Sequence, residues 1–168
     1  MQAKEMLERC SALEQRAAAM YRRFAADSAA DDRLRALWLR LAEEEDDHAA
    51  AVRRASAAAA LQGESRIDGW TEAVVEAERV LAAAEAAPPA TPDDRLMVAL
   101  DLERNEIDTL RETLLALAGQ LDSSTASTRR HAAELADVAT RCSSDPRVLL
   151  KASLVQVHDR LSRDTTAR

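Results

Sequence analysis

The sequence predicts an all-α protein: a four-helix bundle with one long crossover and an additional C-terminal helix. Three observations carry that expectation. The chain of 168 residues holds 37 alanines and 21 leucines but only 3 glycines and 4 prolines, a bias toward strong helix formers and away from strand and turn residues. Apolar residues recur every three or four positions over long stretches. The few glycines, prolines and Asp/Ser clusters fall where those stretches stop. One domain, 1–168, is the economical reading at this length.

Helix one is expected from Ala3 to about Asp27, where Met6, Cys10, Leu13, Ala17, Met20 or Tyr21 and Phe24 form one stripe. Asp27, Ser28 and Asp31 supply turn and N-cap chemistry. Leu34, Leu37, Trp38, Leu41, Ala49 and Val52 then carry helix two over 31–61, about 45 Å at 1.5 Å per residue. The segment Gln62 to Gly69 breaks the pattern with two glycines. A shorter alanine-rich helix, Trp70 to Ala87, ends at Pro88–Pro89, and 62–91 as a whole reads as the crossover. Thr91, Pro92, Asp93 and Asp94 combine a cap, a proline at the first helical position and acids in the first turn, so helix three runs over 92–118 and stops at Gly119. Asp122 to Ser124 cap a fourth helix, 124–142, and Asp145–Pro146 start a fifth, 146–163. Two short-looped hairpins joined by a long connection are the layout of a bundle with one crossover.

Charge and cysteines exclude several function classes. With 30 acidic against 23 basic residues the net charge is −7, and Arg22–Arg23, Arg53–Arg54 and Arg129–Arg130 are pairs, not patches, so neither nucleic acid nor an anionic membrane is an expected partner. No uncharged stretch is longer than that from Ala55 to Gly63, and the N-terminus is charged from its fourth residue. Neither a membrane span nor a secretory signal is expected, and a cytoplasmic location follows as the default. Cys10 and Cys142 lack the CxxC spacing of a zinc ribbon, an iron–sulfur-ligated rubredoxin site or a redox pair and are expected as reduced thiols. If the start of helix one and the end of helix four share one end of the bundle, the two thiols would approach each other.

Acids interrupt the apolar stripes themselves. Helix two reads Leu34, Leu37/Trp38, Leu41, Glu45, His48, Val52, which turns Glu45 and His48 inward. Glu14 lies between Cys10 and Ala17 on the buried face of helix one. Glu103 stands in the stripe Leu100, Glu103, Ile107, Leu110 with Glu106 one turn on, and Glu134 accompanies Leu135 and Val138, flanked by His131 and Asp137. A buried carboxylate needs a partner or a cation. Glu14 is about 13 residues before the first turn and Glu45 about 14 after it, so both lie roughly 20 Å from the hairpin tip and should be level. Glu14 to Glu45 and Glu103 to Glu134 both span 31 positions (45 − 14 and 134 − 103), which suggests two related hairpins. By contrast Glu43, Glu44, Asp46 and Asp47 read as a solvated face, and Tyr21, Phe24 and Trp38 as core packing.

This ordered set of acids resembles the rubrerythrin branch of the ferritin-like di-iron carboxylate proteins, over roughly residues 3 to 142. The resemblance implies a ferritin-like bundle whose two irons are bound by one Glu, then Glu-x-x-His, on each hairpin. It makes Glu14 the first-helix ligand, Glu45 the bridging carboxylate and His48 its histidine partner. It makes Glu103 the third-helix ligand, Glu134 the second bridging carboxylate and Glu106 the additional third-helix glutamate. The second Glu-x-x-His stands here as Glu134-x-x-Asp137, with Asp137 taking the histidine's place, His131 as the alternative nitrogen donor, or the segment with His158 as the alternative fourth helix. The implied activity is reduction of peroxide or oxygen, or oxidation of ferrous iron. No rubredoxin-like four-cysteine set is present, so electrons would come from a separate donor protein or from ferrous iron itself. Two other expectations stand beside it. The first is a single metal, zinc or manganese included, at Glu14, Glu45 and His48. The second is a metal-free bundle acting as a structural or interaction module, most simply a homodimer.

Overall fold

A computed structural model describes residues 3–62, 71–104 and 124–166. Among them the chain is helical throughout, with six helices and no strand. They are α1 (Ala3–Asp27), α2 (Asp32–Gln62), α3 (Thr71–Ala86), α4 (Pro92–Arg104), α5 (Ser124–Cys142) and α6 (Pro146–Thr166). The expected boundaries hold to within a residue or two for α1, α2, α3 and α5, and α6 runs past Arg163 because no glycine or proline stops it there. The expected continuation of helix three over 105–118 lies outside the described residues, as does Trp70. No helix among the described residues is long and apolar enough to cross a membrane.

Caps form where the sequence placed them. Asp31 Oδ1 accepts the backbone N–H of Arg33 at 3.0 Å and of Leu34 at 3.1 Å, opening α2. Thr91 Oγ1 accepts the Asp94 N–H at 3.1 Å, and its hydroxyl donates to Asp94 Oδ2 at 2.6 Å, a reciprocal cap on α4. Asp145 Oδ1 accepts the Arg147 N–H at 2.8 Å at the start of α6.

Cross-helix contacts give the direction of each helix. α1 and α2 form a long antiparallel hairpin, the most extensive packing among the described helices. Arg9 pairs with Glu78 and Arg16 with Glu85, the same offset of 69 positions both times, so α1 and α3 run parallel. Asp27 meets Arg95 and Tyr21 meets Glu103, a descending register that makes α4 antiparallel to α1. Lys151 pairs with Asp101 while Arg147 feels the charges of Asp94 and Asp93, so α6 runs parallel to α4. The short link between α5 and α6 then turns α5 the same way as α1. α6 packs on α4 and α5, α2 meets α5, and α3 bridges α1 and α4.

That direction corrects one expectation. Because α5 runs parallel to α1, its C-terminal Cys142 lies at the opposite end of the molecule from the start of α1. Cys10 is buried, Cys142 is exposed, and both thiols are free.

The core is one continuous apolar cluster drawn from every described helix. Its densest part is aromatic: Tyr21 and Trp38 stack with ring centroids 5.9 Å apart and planes 11° from parallel, and Phe24 closes edge-on against Trp38 at 5.3 Å. Trp38→Ala is therefore expected to cost about 3–5 kcal/mol of unfolding free energy, whereas Thr91→Ala removes only a cap, about 1 kcal/mol. Urea unfolding followed by helical circular dichroism checks both values and their order.

Candidate metal centre

The hairpin places the site. The turn is closed by the Ser28 N–H on Phe24 O at 3.0 Å and the Asp31 N–H on Ser28 O at 2.9 Å, which locks the register of α1 against α2. Ser11 Oγ donates to the Ala49 carbonyl at 3.2 Å and so brings residue 11 opposite residue 49. Glu14 and Glu45 then fall level, with His48 one turn further along α2.

The three side chains converge. One donor atom from each of Glu14, Glu45 and His48 lies within 4.8 Å of the others, and all three residues are buried. Their exposures of 3%, 6% and 5% match those of the surrounding core. Glu45 Oε2 lies 3.0 Å from His48 Nδ1, a contact that sets the imidazole plane and ties the two α2 residues together. Two carboxylates in an apolar core repel each other and lose their hydration, a cost that hydrogen bonds, a shared proton or a cation can offset.

The donor set fits a divalent transition metal. Oxygen donors with one imidazole suit iron, manganese and zinc, and two carboxylates balance the charge of one divalent ion, so a loaded site would be neutral. Neighbouring donors around a tetrahedral ion stand about 3.3–3.6 Å apart, so the three side chains would close in slightly from their 4.8 Å span to hold one.

The other expected ligands are placed elsewhere. Glu103 is half-buried and its Oε1 accepts the Tyr21 hydroxyl at 3.3 Å. Tyr21 is seven residues from Glu14 along α1, about 10 Å up the helix axis. Glu134 forms an ion pair with Arg40 of α2, and the exposed Asp137 pairs with Arg141 one turn on in its own helix. Among the described residues none of these three joins the Glu14–Glu45–His48 group. Glu106 lies outside the described residues, as do the side chains of His131 and His158. Of the acidic run on α2, Glu43, Asp46 and Asp47 are exposed as expected, but Glu44 is half-buried. Arg40 as the partner of Glu134 had no signal in the sequence, since a lone arginine on a polar face gives no hint of which helix it will reach.

Cys10 sits one turn before Glu14 on the same face. Burial, and after it the charge of Glu14, push its thiol up to about 12 from an ordinary 9.0. The thiol therefore stays protonated and unreactive at neutral pH.

No family model matches the chain, and no curated protein or solved structure shows significant similarity to it.

In the native protein at pH 8 a thiol reagent is expected to modify Cys142 alone, and Cys10 only after unfolding. The stability that Cys10 contributes by holding its proton is fully present below about pH 9. Above it the unfolded chain ionises first, so stability falls as pH rises toward about 12, by up to about 1.4 kcal/mol per pH unit. One reactive thiol per native chain, counted by mass spectrometry, checks the first expectation. Urea midpoints at pH 8 and 10 for the wild type and Cys10→Ser check the second.

Proposed function

We propose that this chain is a ferritin-like metalloprotein whose Glu14, Glu45 and His48 hold a transition metal, as part of a rubrerythrin-like di-iron carboxylate centre. The observation that carries the reading is the burial of those three side chains together inside a helical hairpin. The helix directions support the fold: α1, α2, α4 and α5 run up, down, down and up, with α3 climbing between the two hairpins as the long crossover. In this reading the second metal draws its ligands from the second hairpin, the source of Glu103, Glu106, Glu134 and Asp137.

A bound iron pair would supply two-electron reduction of peroxide or oxygen, or oxidation of ferrous iron. The protein's own part is to hold the ions in a dry, charge-balanced pocket. Glu45 orients His48 through their hydrogen bond, an arrangement that raises the basicity of a ligating imidazole. Without rubredoxin-like cysteines, electrons come from a separate donor protein or from ferrous iron. The acidic, alanine-rich composition suits a cytoplasmic homodimer.

One observation favours a second reading. The ion pairs Arg40–Glu134 and Arg141–Asp137 engage the acids that would complete a second metal site. With those pairs maintained, the chain binds one divalent ion, zinc or manganese included, or serves as a metal-free interaction bundle.

Metal per chain decides between them. Protein loaded anaerobically with ferrous iron is expected to hold about two irons, to develop oxo-bridged ferric absorption on oxidation and to unfold at higher temperature than the apoprotein; saturation at 100 times Kd adds about 2.7 kcal/mol. One ion per chain selects the single-metal reading, and none overturns metal binding. Glu45→Ala is expected to abolish binding while keeping the helical circular dichroism, because removing one carboxylate relieves repulsion in the empty cluster. An unfolded Glu45→Ala variant together with a metal-free wild type would make Glu45 a structural partner instead.

A further inference from the structure

α6 is apolar on two faces. Val148, Ala152 and Val155 are buried where the helix packs on α4 and α5. Leu150, Leu154 and Val157, by contrast, are 64%, 46% and 49% exposed. At about 100° per residue the two sets point about 200° apart, so they lie on opposite sides of the helix. Of the five large hydrophobic side chains exposed among the described residues, three belong to this one stripe, while Leu39 and Val75 stand singly on α2 and α3. A single exposed leucine is ordinary, but three in line along one helix form a face that calls for a partner.

Spacing identifies what fits that face. Leu150, Leu154 and Val157 are separated by four and then three positions, and because α6 runs on to Thr166, Leu161 and Asp164 continue the same alternation, with Arg147 preceding it. That is the seam of a two-stranded coiled coil. The seam is also symmetric: the pairs 150 and 161, 154 and 157, and 147 and 164 share one midpoint, between Val155 and Gln156. A second copy laid antiparallel on the first therefore sets leucine against leucine at 150 and 161, and Leu154 against valine. It also sets Arg147, with donors to spare beyond its pair with Asp145, against the partner's Asp164 at both ends. A parallel pair would oppose Arg147 to Arg147, and an unrelated protein has no reason to share the midpoint.

We propose that α6 is a dimerisation helix, in which Leu150, Leu154 and Val157 of two copies of this chain pack antiparallel across a two-fold axis between Val155 and Gln156. The inference rests on the homodimer reading, to which it gives a surface, and does not depend on the metal. The seam faces away from α4 and α5, so pairing leaves the Glu14–Glu45–His48 group untouched. From position 147 to 164 the seam is about 25 Å long. One helix of that length makes a small interface, so the dimer is expected to dissociate on dilution.

Sedimentation equilibrium of the whole chain at about 1–200 µM is expected to show monomer and dimer in exchange. In Leu150→Glu/Leu154→Glu, which alters exposed positions only, the dimer dissociation constant rises at least tenfold while helical circular dichroism and metal content per chain match the wild type. A wild type that is monomeric throughout overturns the homodimer and its surface together. A dimer that persists in the folded double variant overturns the surface alone. Register is read separately, and independently of how the glutamate variant folds, in a Cys142→Ser background that removes the exposed thiol. Under mild oxidation Leu150→Cys/Leu161→Cys is expected to form a covalent dimer and Leu150→Cys alone is not. Positions 150 and 161 are about 16 Å apart along one helix and meet only across the antiparallel pair. Cross-linking of Leu150→Cys to itself, or none in the double-cysteine variant, overturns the antiparallel pairing.

Discussion

Two carboxylates and an imidazole inside the α1–α2 hairpin set the constraint around which the molecule is organised. Charges of like sign are tolerated in an apolar interior only where something balances them. The hairpin must therefore hold Glu14, Glu45 and His48 close enough to share a proton or an ion. Everything that fixes the hairpin register serves that end: the tight turn after Phe24, the Asp31 cap and the Ser11–Ala49 hydrogen bond. A slip of one turn would put Glu14 against alanine and leave a bare charge in the core.

The remaining helices shield that hairpin, and they are tied on by charges at the rim. Arg9–Glu78 and Arg16–Glu85 align α3 along α1, with both partners about one-third exposed in each pair. Hydrogen bonding to Arg16 holds the Glu85 carboxyl below its usual range. Pairs this exposed contribute little energy each, so their role is mainly to choose the register of α3. Adhesion comes from Val74, Ala77, Leu81 and Ala84, which are buried beneath them. The same division recurs on α6, where Val148, Ala152 and Val155 are buried and Lys151 pairs with Asp101 at the edge.

Glu14, Glu45 and His48 form one buried group, while Tyr21, Trp38 and Glu103 form a layer two turns away that joins the α1–α2 hairpin to α4. The two layers share helix faces, and small buried alanines between them keep the helices close. Glu134 and Asp137 of α5 act differently, because both pair with arginines that neutralise them without a metal.

Much of this was legible in the sequence, for a physical reason. Helical periodicity, caps and breakers are local, so the elements and most of their ends follow from neighbouring residues alone. The levelling of Glu14 with Glu45 also follows, because a short turn between two long helices leaves almost no freedom in their register. Beyond one hairpin that logic stops. Whether Glu103 met the other acids or Tyr21, whether Glu134 pointed inward or reached Arg40, and which end of the molecule received Cys142 all depended on the rotation and direction of helices that the chain joins at a distance. By itself the sequence determined six helices and one hairpin with charges inside it. Tertiary packing alone decided which acids remained with that group and which were drawn to a phenol or an arginine, because contacts between distant helices are set by the summed burial of whole faces and not by the spacing of any one motif.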